Sequence, residues 1–189
     1  MRKPVCLIAA IALAFSLGLS QTVVGRANAA PPTPAAKPTA PEEPQVTTES
    51  FDNWLLRCVT PPGAAKICEV VQTIQIQGQP APLAQLALGY APGDSAVSMT
   101  AVVAVNVAFS APAEVQVDDT LVQPLDWARC VPGACFATSG LGPDVVQDLR
   151  KQKGEGKLNY HTADGKTLGI PLSWRGLGDA LKALDAVQN

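Results

Sequence analysis

Trp54-Leu55-Leu56-Arg57-Cys58-Val59-Thr60 and Ile67-Cys68-Glu69-Val70-Val71-Gln72-Thr73-Ile74, joined by Pro61-Pro62-Gly63-Ala64-Ala65-Lys66, form the stretch that decides the fold. Trp54, Leu56 and Cys58 fall on one face of an extended chain, and Cys68, Val70, Gln72, Ile74 and Ile76 on one face of the next, with Glu69, Thr73, Gln75 and Gln77 opposite. A period of two with one apolar side is the pattern of a half-buried antiparallel hairpin. The Pro-Pro-Gly cluster between the runs supplies the turn. Cys58 and Cys68 can then face each other across neighbouring strands, where Cα separations of about 4.5–5.5 Å lie within disulfide reach.

The same alternation continues outward. Leu86, Leu88 and Tyr90 predict a third strand, and residues 97–109 a long central one with Met99, Val103, Val105 and Val107 inward. Residues 114–117 and 121–130 are further strands. Leu158, Tyr160 and Thr162, then Leu168, Ile170, Leu172 and Trp174, flank Ala163-Asp164-Gly165-Lys166, where Asp-Gly predicts a tight two-residue hairpin turn. Two helices interrupt the strands. Pro143 opens one at a position where its missing N–H costs nothing, with Val145, Val146 and Leu149 as its stripe and Gly154 beyond its end. Leu177, Leu181 and Leu184 line the second, over about 177–187. The fold class is mainly β, an antiparallel β-sandwich with two short helices.

Upstream the composition changes. Arg2 and Lys3 precede an apolar run over residues 5–19, shorter than the roughly 20 residues a spanning helix needs, and Ala27-Asn28-Ala29 is a small-x-small triplet. Residues 1–29 therefore read as a secretory signal cut after Ala29, which leaves no membrane span in the mature form. An uncleaved anchor is the competing reading. Six prolines lie between Pro31 and Pro44 with nothing large enough to build a core, so residues 30–48 read as a disordered, extended linker. The folded domain is assigned to residues 49–189. Losing Arg2, Lys3 and Arg26 leaves 11 of the 14 cations against 16 acids, a net charge of −5 that argues against nucleic acid as a partner. The cations Arg150, Lys151, Lys153 and Lys157 read as a solvated helix end that offsets the helix dipole.

Cys6 leaves with the signal, so four cysteines remain: Cys58, Cys68, Cys130 and Cys135. Three pairings are open to four thiols in an exported chain, and geometry favours the two local ones, the second across Val131-Pro132-Gly133-Ala134. A redox pair usually has a Cys-x-x-Cys spacing at a helix start, and zinc wants ligands in close-spaced pairs; neither spacing is present. Candidate chemistry is otherwise sparse. His161 is the single histidine, adjacent Asp118 and Asp119 point to opposite faces of a strand, and Trp54, Trp127 and Trp174 are core builders. No catalytic, cofactor-binding or metal residue is assigned.

Cys130-Val131-Pro132-Gly133-Ala134-Cys135-Phe136-Ala137, the Trp54 and Cys58 strand, Cys68-Glu69-Val70-Val71-Gln72, and Pro171-Leu172-Ser173-Trp174-Arg175-Gly176 with Ala180-Leu181 together resemble the invasion-associated locus B family. The resemblance covers roughly residues 51–185. Two departures stand out: Ala134 occupies a place where the family commonly has glycine, and residues 105–119 match poorly. The resemblance implies an immunoglobulin-like sandwich in a protein exported by a Gram-negative bacterium, periplasmic or secreted, with no enzymatic activity and no cofactor. The expected function is a non-enzymatic envelope accessory or interaction protein, with a role in host-cell invasion where the source is a pathogen. Its protein or envelope partner and its oligomeric state are left open. The alternative is a thiol–disulfide oxidoreductase using Cys130 and Cys135.

Overall fold

The computed structural model describes residues 45–91, 93–118 and 122–188. Residues 1–29, read from sequence as a signal, and the expected linker up to residue 44 lie outside the described residues, as does Asp119. Ten strands and two helices follow in the order β1 (Gln45–Phe51), β2 (Trp54–Thr60), β3 (Ile67–Ile74), β4 (Ala84–Tyr90), β5 (Val97–Val103), β6 (Ala113–Gln116), β7 (Val122–Val131), β8 (Ala134–Gly140), α1 (Pro143–Lys151), β9 (Glu155–His161), β10 (Thr167–Ser173) and α2 (Leu177–Gln188). Gln45 to Thr48, assigned from sequence to the linker, belong to β1, where each finds a partner on β2.

All pairings are antiparallel and join into one ladder, β1-β2-β3-β4-β5-β8-β7-β6-β9-β10. β7 carries the fold from one half to the other. Residues 126–131 pair with β8 and residues 122–125 with β6, and the register shifts between Trp127 and Arg129. Such an irregularity bends its strand. The bend lets the far end of the ladder return over the near end: Trp54 Nε1 donates to the Ser173 carbonyl at 2.9 Å, and the rings of Trp54 and Trp174 stack at 6.1 Å. The inward residues of the alternation, Leu56, Val70, Leu86, Leu88, Met99, Leu158, Ile170 and Leu172 among them, merge with Leu149 of α1 and Leu177, Leu181 and Leu184 of α2 into one core. Roughly 2 kcal/mol per fully buried side chain of this kind makes that merger the main source of stability.

Three local expectations need correction. The central strand is shorter than its pattern: β5 stops at Val103, and Val105 is 51% exposed. Asn106 takes φ 87°, a left-handed turn that alternation of side chains does not reveal, before Val107 resumes contact as a bridge to Thr162. The turn between β9 and β10 has three residues rather than two. Thr162 N–H reaches the Lys166 carbonyl at 2.8 Å, Gly165 N–H reaches Thr162 at 2.9 Å, and only Gly165 (φ 82°) is left-handed, as a type I turn closed by a glycine bulge requires. Ile76 and Leu168, placed inward by alternation, are exposed: Ile76 lies beyond the end of β3, and Leu168 sits at the start of β10 beside the turn.

Candidate functional site

Both cysteine pairs are joined. Cys58 and Cys68 are directly opposed in the β2–β3 register with Cα atoms 4.0 Å apart, and their sulfurs form a disulfide inside the core. Cys130 and Cys135 are likewise opposed at the tip of β7–β8, Cα–Cα 4.0 Å, with Cys135 buried and Cys130 exposed. Pro132 and Gly133 (φ 92°) form the two-residue turn between Val131 and Ala134. Ala134 is not left-handed, so alanine suits this position without strain. Both flanks of this pair are strand, not the helix start at which a dipole lowers a thiol pKa.

His161 ends β9 on the solvent side, with Nδ1 3.0 Å from the Thr167 hydroxyl. Asp118 accepts from Gln152 Nε2 at 3.1 Å. Among the described residues no three of His, Cys, Asp and Glu gather as a metal would need. Trp54 and Trp174 are core residues. Trp127 is half-buried, donating to the Ala111 carbonyl at 2.9 Å and meeting the Tyr160 ring edge-on at 6.2 Å.

Arg150 departs from the solvated helix end expected of the basic cluster. Its guanidinium donates to Asp185 Oδ2 at 2.7 Å, while Tyr90 Oη donates to Asp185 Oδ1 at 2.8 Å. One carboxylate on α2 thereby ties α1 to the end of β4. Lys151 and Lys153 are exposed as expected, Lys151 pairing with Asp148, and Lys157 lies on β9 rather than on the helix. Burial, then the hydrogen bond and negative charge of Asp185, raise the Tyr90 pKa above the usual phenol value, with Arg150 pulling weakly the other way. Tyr90 divides two clefts. One, about 410 Å³, has an apolar floor of Val97, Leu141 and Val146 and a rim that includes Arg150 and Gln147. The other, about 480 Å³, is polar, between Asp94, Ser95, Asp185 and Gln188. Apolar floor with polar rim is the make-up of a binding surface. Such a surface can hold an apolar group and orient it by hydrogen bonds.

A further polar arrangement was missed in reading the sequence. Gln72, buried on the inner face of β3, donates to the Ser173 carbonyl at 2.7 Å and accepts from the Ser173 N–H at 3.0 Å. A side-chain amide thus stands in for a neighbouring strand and joins β10 to β3. The signal was available: glutamine in an inward position between Val70 and Ile74 needs partners, because a buried amide left unpaired costs about 1–3 kcal/mol.

The family model described as Invasion associated locus B (IalB) protein matches residues 54–185. The crystal structure of invasion associated protein B from Bartonella henselae is similar with a TM-score of 0.63 and 25% identity, over 75% of this chain and 98% of that one. No curated protein matches the chain.

Proposed function

The chain belongs to the invasion associated locus B family, and from that premise we propose that it is an exported, non-enzymatic interaction module of the bacterial cell envelope. The observation that carries this reading is the pairing of all four cysteines outside the apolar leader. Such bonds persist in oxidising compartments and are kept reduced in the cytosol. The leader-like residues 1–29 support the same address, periplasm or medium. The cleft beside Tyr90 that joins an apolar floor of Val97, Leu141 and Val146 to hydrogen-bonding groups supports a binding role. The name of the Bartonella relative extends the reading to invasion where the source is a pathogen.

Fractionation of the producing cell with intact-mass measurement tests the export half. The expected species starts at Ala30, lies in periplasm or medium, and lacks free thiols. A cytosolic species that keeps its leader and four free thiols overturns it. Turnover of a defined substrate by the purified protein overturns the non-enzymatic half.

One observation favours a second reading: Cys130 is exposed, so a thiolate can reach its sulfur. The reduction potential of the Cys130–Cys135 pair decides. A value below about −300 mV marks a structural bridge, and one between about −200 and −120 mV marks an exchanging pair.

A further inference from the structure

The ladder has two edges, β1 and β10, and they are finished differently. On β10 the bond from Trp174 N–H to the Gly154 carbonyl sets the alternation, so residues 167, 169, 171 and 173 turn their backbone outward. Position 173 is taken by the Gln72 amide. Position 171 is proline, which has no N–H to offer. The half of β10 from Pro171 to Ser173 is thereby closed to a further strand.

Among the described residues β1 has no such device. It follows from the Phe51–Trp54 pair around a two-residue turn, an arrangement in which residues 47, 49 and 51 bond β2 while Val46, Thr48 and Ser50 turn their N–H and C=O groups outward. The strand holds no proline and no lysine, its first six residues are exposed, and among the described residues only β2 pairs with it. An uncapped edge of seven residues is a template for an added strand.

We propose that the added strand is β1 of a second copy of this chain, antiparallel and centred on Thr48. In that register Thr48 meets its own copy, Val46 meets the partner's Ser50, and Thr47 meets the partner's Glu49. Glu49, the only charged residue of β1, therefore faces a threonine. Sliding the centre to Glu49 would instead oppose two carboxylates. The outer face agrees. Val46, Val59 and Ile67 lie side by side across β1, β2 and β3, with Val46 57% and Ile67 46% exposed. The centred pairing brings this apolar row against the partner's Ser50 and, one strand further, the partner's Leu55 and Val71, whose own register is Ser50 to Leu55 to Val71.

Single cysteines in a Cys6→Ser background, in protein purified from the producing cells, test the register. Thr48→Cys is expected to give an intermolecular disulfide under mild oxidation, since hydrogen-bonded cross-strand Cα atoms lie about 5.5 Å apart. Val46→Cys is expected to give none, its own copy being four residues away, about 14 Å. Thr48→Lys opposes two ammonium groups across the two-fold; it is expected to weaken dimerisation at least tenfold in analytical ultracentrifugation without lowering the melting temperature measured at dilutions where both chains are monomeric. A native chain that sediments as a monomer at tens of micromolar, equal cross-linking at both positions, or a Thr48→Cys disulfide to a different protein overturns the proposal.

Discussion

In the β2–β3 hairpin both sulfurs face the core, Cys58 5% and Cys68 2% exposed, whereas in the β7–β8 hairpin Cys135 is buried and Cys130 faces water. The loops also differ: the cysteines of the first pair are ten positions apart in sequence and those of the second five. Chain entropy alone makes that difference small, about 0.6 kcal/mol in favour of the longer loop. The larger contrast is positional. Cys58 and Cys68 lie buried in the two strands that also carry Trp54 and Gln72, four residues further along, where the curled ladder meets itself. Cys130 and Cys135 tie the tip of a hairpin whose two-residue turn already fixes its register. The same covalent bond thus serves as a core element in one hairpin and as a terminal clip in the other.

The largest expected effect follows from removing the core bond. Cys58→Ala with Cys68→Ala should cost about 4 kcal/mol, combining lost loop constraint with lost burial, and lower the melting temperature by about 10 °C. Urea unfolding of this double variant beside Cys130→Ala with Cys135→Ala, expected to lose about 2 kcal/mol, gives the comparison directly. Equal losses would break it. Between these two falls Gln72→Leu, which leaves the Ser173 N–H without its partner and the Ser173 C=O with Trp54 Nε1 alone, for an expected loss of about 2–3 kcal/mol. A double-mutant cycle with Cys68→Ala sharpens the point: the two sites lie four residues apart along β3, about 13 Å, and share no partner, so their losses should add to within about 0.5 kcal/mol.

Reduction offers a kinetic version. Limiting dithiothreitol followed by alkylation and peptide mapping should label Cys130 and Cys135 before Cys58 and Cys68, because attack needs access to a sulfur. Simultaneous labelling would mean that both bonds open only on global unfolding.

Much of this contrast was legible in the residues. Alternation from Trp54 to Ile74 fixes the inward face of β2 and β3, and a proline-glycine turn announces each disulfide hairpin. Pro143 and the Leu177, Leu181, Leu184 stripe mark the helices for the same reason, a local rule acting within a few residues. What escaped is non-local. Tyr90, Arg150 and Asp185 meet across 95 and 35 residues of chain, and Gln72 meets Ser173 across 101, distances at which no periodicity speaks. The premature end of β5 escaped for a different reason: Val105 and Val107 keep the alternation while Asn106 breaks the backbone.

The smallest expected effect lies in alkaline solution, where each half of the comparison carries one tyrosine. Tyr90 is bonded to Asp185 at the end of β4, in the half that holds Cys58 and Cys68, and Tyr160 packs on Trp127 of β7, the strand of Cys130. Burial raises both pKa values, and the Asp185 carboxylate adds to the rise at Tyr90. Between the ordinary phenol value of about 10 and the higher folded value the unfolded chain binds fewer protons than the native one, so stability is complete below pH about 10 and falls as pH rises through the folded pKa. Urea midpoints followed upward from neutral pH should therefore decline on that limb, in step with phenolate absorbance. Tyr160→Phe should flatten the limb with little change at neutral pH. Tyr90→Phe should flatten it too and also lose about 1 kcal/mol at every pH below it, the share of the hydrogen bond to Asp185. If the two variants behave alike, the Asp185 tie adds nothing to the half that already owns the buried disulfide, and the asymmetry between the halves rests on the sulfurs and Gln72 alone.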